Sequence, residues 1–143
     1  MLVSDITSGG SIPLLEKTLA FTEARHRMLA TNIANVTTPG YRMQQLDPGG
    51  FQAALKKAAE QRAAGGAFEM PRTDQVDVDD AGFLQVTPTE EPAENVLFHD
   101  GTNARIERQM AMLAENTMMH RAASELLQNR FERLASAIRG RMR

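Results

Sequence analysis

Residues 30–41 read ATNIANVTTPGY, and this stretch decides the fold. Pro39 fixes its own φ at about −65°, and Gly40 supplies the positive φ that a type II turn requires. The backbone therefore leaves the helical path at Thr38, the residue before the proline. Asn32 and Asn35 precede the turn, and both are poor helix formers whose amides bond readily to nearby backbone. The stretch predicts the end of a long helix, then a turn, with two asparagines that anchor a neighbouring strand or subunit.

The composition of the 143-residue chain favours long helices in a single domain. There is no Trp and only one Tyr, whereas Ala, Met, Gln and Arg are plentiful, which is typical of helical proteins. The chain contains no Cys, so it offers neither a disulfide, nor a thiolate metal site, nor a Cys nucleophile. We therefore expect a mainly α protein.

The first ten residues end in Gly9-Gly10 and show no periodicity, so we expect a flexible N-terminus over residues 1–10. They contain no basic segment followed by a long apolar run, which indicates that no secretory signal is present. No later run is long enough to span a bilayer. If the protein leaves the cytoplasm, we expect another export route.

The net charge of −2 is unevenly distributed along the chain. Residues 67–100 carry nine acids and one base, whereas residues 101–143 carry eight Arg and four acids. An acidic middle followed by a basic end suits head-to-tail docking between copies, and an ordinary solvated surface explains it equally well.

Residues 11–41 form the first predicted segment, a core helix followed by the Thr-Pro-Gly-Tyr turn. Ser11 is a suitable N-cap, and Pro13 suits the first helical turn. Apolar residues then recur with heptad spacing around a polar middle. This N-terminal seam consists of Ile12, Leu15, Leu19, Thr22, His26, Leu29, Ile33 and Val36.

Residues 101–143 form a second core helix by the same reasoning. Thr102 or Asn103 is the expected cap, and Gly140 is the expected end, near several Arg that favour the negative end of the helix dipole. Its C-terminal seam consists of Ile106, Met110, Leu113, Thr117, His120, Ser124, Leu127, Phe131, Leu134 and Ile138.

The insert between these helices, residues 42–100, shows less periodicity of apolar residues. We expect an irregular stretch over 43–48, then a short helix over 51–64 with Phe51, Leu55 and Ala59 on one face, closed by Gly65-Gly66. The acidic remainder should be mostly loop, and its apolar runs allow a small hairpin across Asp79–Gly82.

The simplest way to bury both seams is to pair the two long helices antiparallel, like a coiled coil. If Val36 lies near Ile106, Thr22 falls near His120 and the polar middles coincide. Because the middle of each seam is polar, the helix pair lacks several apolar contacts, each worth about 1.5–3 kcal/mol when fully buried. We therefore expect the terminal helices to be frayed in the free monomer and to order on packing among copies.

Residues for catalysis or metal binding are scarce. His26, His99 and His120 are far apart in sequence and lack carboxylate partners on the seams. The calcium-loop-like start at Asp77 and Asp79 lacks a third ligand and the closing Glu, so it indicates a turn. We expect no enzyme activity, no metal, no cofactor, no small-molecule substrate and no nucleic-acid partner.

The stretch at residues 30–41 resembles the N-terminal signature of the axial proteins of the bacterial flagellum, the rod and hook subunits. The segments QQLD at 44–47 and FQAAL at 51–55 are similar to the short subunits of the cell-proximal rod. So are DGTN at 100–103, LAEN at 113–116, LL at 126–127 and AIRG at 137–140. The matching segments cover about half of the chain, and residues 65–99 are not diagnostic.

The resemblance implies a structural subunit of the periplasmic rod, exported by the flagellar type III apparatus without a cleaved signal. Its implied partners are other copies, other rod subunits and the adaptor protein at the membrane end. The residues expected to mediate assembly are Leu15, Leu19, Thr22, His26, Leu29, Asn32, Ile33, Asn35, Val36, Pro39, Gly40, Tyr41, Ile106, Met110, Leu113, Asn116, Thr117, His120, Leu127, Phe131, Leu134 and Ile138.

Two alternatives remain open at the level of sequence. One is a soluble helical adaptor or export-chaperone-like coiled-coil protein, which would tolerate changes at Asn32, Asn35 or Gly40. The other is a different short rod subunit.

Overall fold

A computed structural model describes residues 10–92 and 101–140. In chain order, the elements are α1 (Ile12–Ala34), β1 (Gln44–Gln45), α2 (Pro48–Ala63), β2 (Val76–Val78), β3 (Leu84–Val86), β4 (Thr89–Glu90) and α3 (Gly101–Gly140). The predicted class, mainly α with a long helix near each end and a small strand-containing insert, is confirmed. The predictions for residues 1–9, for His99 with the last part of the acidic insert, and for the Arg residues that follow Gly140 lie outside the described residues.

Helix α1 begins where the sequence predicts and ends slightly earlier. Ser11 makes no side-chain cap hydrogen bond, although its carbonyl accepts from Leu15 N at 3.0 Å. At the other end Asn35 is the C-cap, and its side chain donates to the Thr31 carbonyl at 2.9 Å. Val36, the last predicted seam position, therefore lies outside the helix.

Helices α1 and α3 run antiparallel, as three pairs of residues establish. Asn32 lies beside Gln109, Arg25 beside Glu115, and Thr22 beside His120. The Thr22 hydroxyl is 2.8 Å from His120 Nδ1, which confirms the predicted register.

The predicted seam of α1 is only half right. Leu15, Thr22 and Leu29 are buried as expected, but His26 is exposed, and Leu19 and Ile33 are only half-buried. The reason is that α1 packs on two sides, against α3 and against the insert, so its buried arc is wider than a two-helix seam. The buried residues that the seam omitted are Phe21, Arg25, Met28 and Asn32.

The predicted seam of α3 is displaced around the helix in a similar way. Its buried residues are Gln109, Asn116 and Ala123, spaced by seven. Several seam positions are half-buried, namely Ile106, Leu113, Thr117, His120, Ser124, Leu127 and Leu134. Three are exposed, namely Met110, Phe131 and Ile138. The helix also begins at Gly101, so Thr102 and Asn103 fall in its first turn rather than at its cap.

Unequal length explains why part of the α3 seam stays exposed. Helix α3 has 40 residues and α1 has 23, a difference of about 26 Å in length. In the observed register Ile12 lies level with Arg130, so the last residues of α3 extend past the start of α1. Gly140 is the last residue that the structure describes there.

Helix α2 begins three residues earlier than predicted. Asp47 Oδ1 accepts from Gly49 N at 2.9 Å, and Pro48 occupies the first turn, so Gly49 and Gly50 do not break the helix. Its end is as predicted, because Gly65 has φ +91° and donates to the Arg62 carbonyl. Gly66 donates to the Gln61 carbonyl at 3.0 Å, which completes a Schellman motif.

The core lies between α1, α2 and the hairpin. Phe21 of α1 and Phe51 of α2 stack with ring centroids 4.0 Å apart. Phe51 and Leu55 are buried as predicted, whereas Ala58 rather than Ala59 completes that face. The buried cluster consists of Phe21, Met28, Leu29, Leu46, Phe51, Leu55 and Val76.

Strands β2 and β3 form the antiparallel hairpin that the sequence allowed across Asp79–Gly82. Asp79 holds the turn, since its Oδ1 accepts from Ala81 N at 3.0 Å and from Phe83 N at 2.8 Å. The pairing of β1 with β4, Gln44 opposite Glu90, was not predicted, because each strand has only two residues. Over residues 10–92 and 101–140, none of the helices has the length and apolar character needed to cross a membrane.

Candidate assembly site

Asn32 lies near the start of the stretch that decides the fold, and it is fully buried. Its Nδ2 donates to the Gln44 carbonyl at 2.7 Å and to Gln109 Oε1 at 3.2 Å. Its Oδ1 accepts from Gln44 N at 3.0 Å and from Tyr41 Oη at 3.0 Å. All four hydrogen-bonding positions of the amide are therefore used within the chain.

The turn over residues 38–41, which follows α1, has the geometry that the sequence predicts. Tyr41 N donates to the Thr38 carbonyl at 3.2 Å, and Gly40 has φ +76°, as a type II turn requires. Burial raises the pKa of Tyr41 above its ordinary value. The turn thus directs the chain from the end of α1 into β1. We call Asn32, Tyr41, Gln44 and Gln109 the Asn32 joint.

The two asparagines of the stretch have different roles. Asn32 binds a neighbouring strand, as predicted, but it has no hydrogen-bonding position left for another subunit. Asn35 bonds only locally, to the Thr31 carbonyl and, through Oδ1, to the Thr38 hydroxyl at 3.3 Å. It remains half-buried.

Gln75 connects the Asn32 joint to the insert. Its Oε1 accepts from Asp47 N at 2.8 Å, while its Nε2 donates to the Gln45 carbonyl and to Thr89 Oγ1. One side chain therefore joins β1, β4 and the start of α2. No pattern in the sequence distinguishes Gln75 from the other glutamines.

A second group of polar residues joins α1 to α3 near their middle, and we call it the middle polar layer. Asn116 is fully buried, and its Nδ2 donates to the Thr22 carbonyl at 2.8 Å. The Thr22 hydroxyl lies within hydrogen-bonding distance of the Thr18 carbonyl and of His120 Nδ1. This arrangement is satisfied when His120 carries its proton on Nδ1 and the hydroxyl donates to the Thr18 carbonyl.

Arg25 is the least satisfied group of that layer. It is 3 % exposed, and its Nε and Nη1 find no hydrogen-bond partner among the described residues. Its Nη2 lies 3.7 Å from the largely exposed Glu115 carboxylate. Asn116 Oδ1, in the same layer, is also buried without a partner in that part of the chain.

The C-terminal end of α3 carries an apolar face without a partner among the described residues. Phe131, Leu134 and Ile138 follow one another at steps of three and four, on the side of the helix that carries Asn116 and Ala123 further back. Phe131 is 46 % exposed and Ile138 is 58 % exposed. We call Phe131, Leu134 and Ile138 the unpartnered α3 face.

The predicted site residues therefore fall into separate groups rather than into one site. Asn32 and Tyr41 belong to the joint, with Pro39 and Gly40 in its turn; Thr22, Asn116 and His120 form the middle layer. Leu29 lies in the core, with Leu113 packed against it. The sequence reasoning missed Arg25 and Gln109. The signal for Gln109 was available, because it precedes Asn116 and Ala123 at heptad spacing.

The described residues offer no arrangement for metal binding. Over residues 10–92 and 101–140, no three His, Cys, Asp or Glu side chains are grouped so that they could hold a metal ion.

Two curated relatives match nearly the whole chain. The flagellar basal body rod protein FlgB of Bacillus subtilis (strain 168) is 24 % identical over 135 residues, covering 92 % of this chain and 95 % of the relative. The chain resembles the FlgB family of flagellar rod proteins. FlgB of Yersinia enterocolitica is likewise 24 % identical, over 137 residues, covering 90 % of this chain and 93 % of the relative. No family model and no solved structure matches the chain. The likeness to FlgB agrees with the short-rod-subunit resemblance of the sequence.

Proposed function

We propose that this protein is a structural subunit of the bacterial flagellar basal-body rod, in its cell-proximal part. The observation that carries the proposal is the similarity to two FlgB proteins over more than nine-tenths of each. The geometry supports a structural role, because the most specific stretch of the sequence forms the Asn32 joint between helix and strand. A catalytic cleft would instead leave polar groups of this kind accessible.

The unpartnered α3 face supports assembly through the terminal helices. Phe131 and Ile138 are about half exposed. Full burial by a neighbouring helix therefore gains for each roughly half of the 1.5–3 kcal/mol that a fully exposed side chain of this size would gain. Copies packed in this way, with coiled-coil-like contacts between terminal helices, would build a helical tube. That tube would form the wall of the export channel and transmit torque.

The same reasoning gives an expectation for the free chain. The last residues of α3 have no α1 beside them, and isolated helical segments of about 10 residues are marginal in water. We expect this end to fray in the monomer and to order on assembly, so helical content should rise when copies associate. Full helicity of a verified monomer by circular dichroism would contradict that expectation.

The proposed partners follow from the proposed position in the cell-proximal rod. They are other copies of the chain, other rod subunits and the adaptor protein at the membrane end, after export by the flagellar type III apparatus into the periplasmic rod. A soluble adaptor or export-chaperone-like protein is the alternative, and it would not enter the rod.

Complementation tests the proposal. The unaltered chain should restore swimming to a strain of its source bacterium that lacks its gene, and it should be found in purified basal bodies. Phe131→Asp, which places a charge on the unpartnered α3 face, should abolish both. Asn129→Asp, on the opposite side of the same helix, is the matched control and should swim normally. Absence of the unaltered chain from basal bodies would overturn the rod function.

A further inference from the structure

A groove lies between α1 and α3, beside the middle polar layer. It encloses about 340 Å³ and is lined by three residues of each helix, namely Glu23, His26, Arg27, Thr117, His120 and Arg121. Arg27 is paired with Glu23, the one carboxylate of the lining. Exposed Arg121 has no ion pair within residues 10–92 and 101–140. The groove therefore presents an available guanidinium, two imidazoles and the aliphatic stems of two arginines.

The turn of the β2–β3 hairpin has the complementary chemistry. Asp79 is occupied within the turn, but the neighbouring Asp80 is exposed and has no ion pair in the described part of the chain. Phe83, at the other end of the turn, is 69 % exposed. The turn thus exposes both a carboxylate and an aromatic ring. Guanidinium groups bind carboxylates and stack on aromatic rings, and aromatic residues are enriched at protein interfaces.

The hairpin turn cannot reach the groove of its own chain. Lys17 Nζ donates to the Gly82 carbonyl and holds the turn beside the first half of α1. The groove begins at Glu23 and extends to Arg27, so His26 lies nine residues further along the helix, about 14 Å away. An acidic hairpin that fills the groove must belong to another copy.

We propose that the hairpin turn of one copy, residues 79–83, docks into the α1–α3 groove of the next copy. Asp80 pairs with Arg121 there, and the Phe83 ring packs against the arginine stems and the imidazole of His120. The contact joins two different surfaces, so it is heterologous, and repeating it produces an open helical assembly rather than a closed dimer. It deepens the proposed rod function and rests on it.

Crosslinking between two marked chains tests the contact without removing it. The protein contains no native Cys. Ala81→Cys marks the exposed hairpin turn, and Ala114→Cys marks the groove edge, one helical turn before Thr117. The two purified chains, one with a mass tag, are mixed at high concentration with a short bismaleimide, and the mixed product is expected.

Exchanging the charges of Arg121 and Asp80 then tests whether these two residues pair across the contact. Arg121→Glu in the Ala114→Cys chain should lower the mixed product about tenfold, and Asp80→Lys in the Ala81→Cys chain should restore it to within about threefold. Arg130→Glu, which reverses another exposed arginine that lies outside the groove, should leave the yield unchanged. Absence of the mixed product, insensitivity to Arg121→Glu, or failure of the exchange to restore it would each overturn the proposal.

Swimming separates this proposal from the rod function. Normal swimming with Arg121→Glu would reject the groove contact and leave the rod function standing. Failure of the unaltered chain to support swimming would instead reject the rod function.

Discussion

Asn32 and Gln109 lie side by side between the two long helices, with Asn32 Nδ2 3.2 Å from Gln109 Oε1 and both side chains buried. This contact joins α3 to the point where α1 ends and the chain turns into β1. Gln109 Nε2 also lies 3.7 Å from Met43 Sδ, just before that strand. The orientation of the insert and the pairing of the helices are therefore set at one place.

Removal of the Asn32 amide should be costly. Asn32→Ala leaves Gln44 N and the Tyr41 hydroxyl without their buried partner, and each such group costs about 1–3 kcal/mol. We expect the free energy of unfolding in urea to fall by about 3 kcal/mol. The control is Asn35→Ala, whose local bonds are half-exposed and which should cost about 0.5 kcal/mol. Equal losses for the two variants would contradict the assigned role of Asn32.

Arg25 should be replaceable with a gain in stability. Its buried guanidinium has only a distant, exposed carboxylate beside it, and apolar replacement of poorly paired buried charges often stabilises by about 1–4 kcal/mol. Arg25→Met keeps the length of the side chain and should raise the midpoint of urea unfolding. Arg27→Met, at an exposed ion pair, should change the free energy of unfolding by less than about 0.5 kcal/mol. A loss of stability in Arg25→Met would show that the guanidinium is paired in solution.

Gly40 tests the turn through backbone strain alone. A Cβ there would meet no atom within 4 Å, so any effect arises from the φ of +76°. Gly40→Val should lower the free energy of unfolding by about 1–2 kcal/mol and prevent swimming, because the turn no longer directs β1 onto Asn32. Gly40→Asn, a residue that tolerates this conformation, should keep both. Swimming of Gly40→Val would count against the importance of the turn.

The hairpin should respond to acid through Asp79. Hydrogen bonds from the Phe83 amide first, and then from Gln85, lower the pKa of the Asp79 carboxyl. A carboxyl with a lowered pKa contributes stability above its unfolded value of about 3.9, and that stability is lost as the pH falls through the lower folded value. The amide signals of Ala81 and Phe83 should therefore shift below that pH in NMR spectra. Asp79→Asn should remove the transition, and Asp80→Asn should preserve it.

The helices and their register could be predicted from the sequence because the seams are long and the turn at Pro39 and Gly40 is unambiguous. Thr22 and His120 meet as the spacing required. The details of burial could not be predicted, since a seam assigns apolar residues to the inside by type. Asn32 and Gln109 are buried because they satisfy each other and β1, which depends on contacts distant in sequence.

In the insert, too, some features could be predicted from the sequence and others could not. Gly65 and Gly66 end α2 as expected, because a Schellman motif is a local structure with a clear signature. Asp47 and Pro48 also carry a local signature of a helix start, which the two following glycines obscured. The β1–β4 pair is joined by Gln75, whose three side-chain hydrogen bonds leave no trace in the pattern of the sequence.

The most direct test combines the register of the helices with their place in the rod. Thr22→Cys with His120→Cys, in a chain without other cysteines, should form an intramolecular disulfide in purified basal bodies, seen as a mass and mobility shift reversed by reductant. Thr22→Cys with Leu127→Cys moves the second cysteine about 10 Å along α3 and should not crosslink. We therefore expect to find the chain in purified basal bodies. We expect a disulfide there in the Thr22→Cys, His120→Cys chain and none in the Thr22→Cys, Leu127→Cys chain. A chain that is absent from basal bodies, or present there with the first of these pairs open, would contradict this expectation.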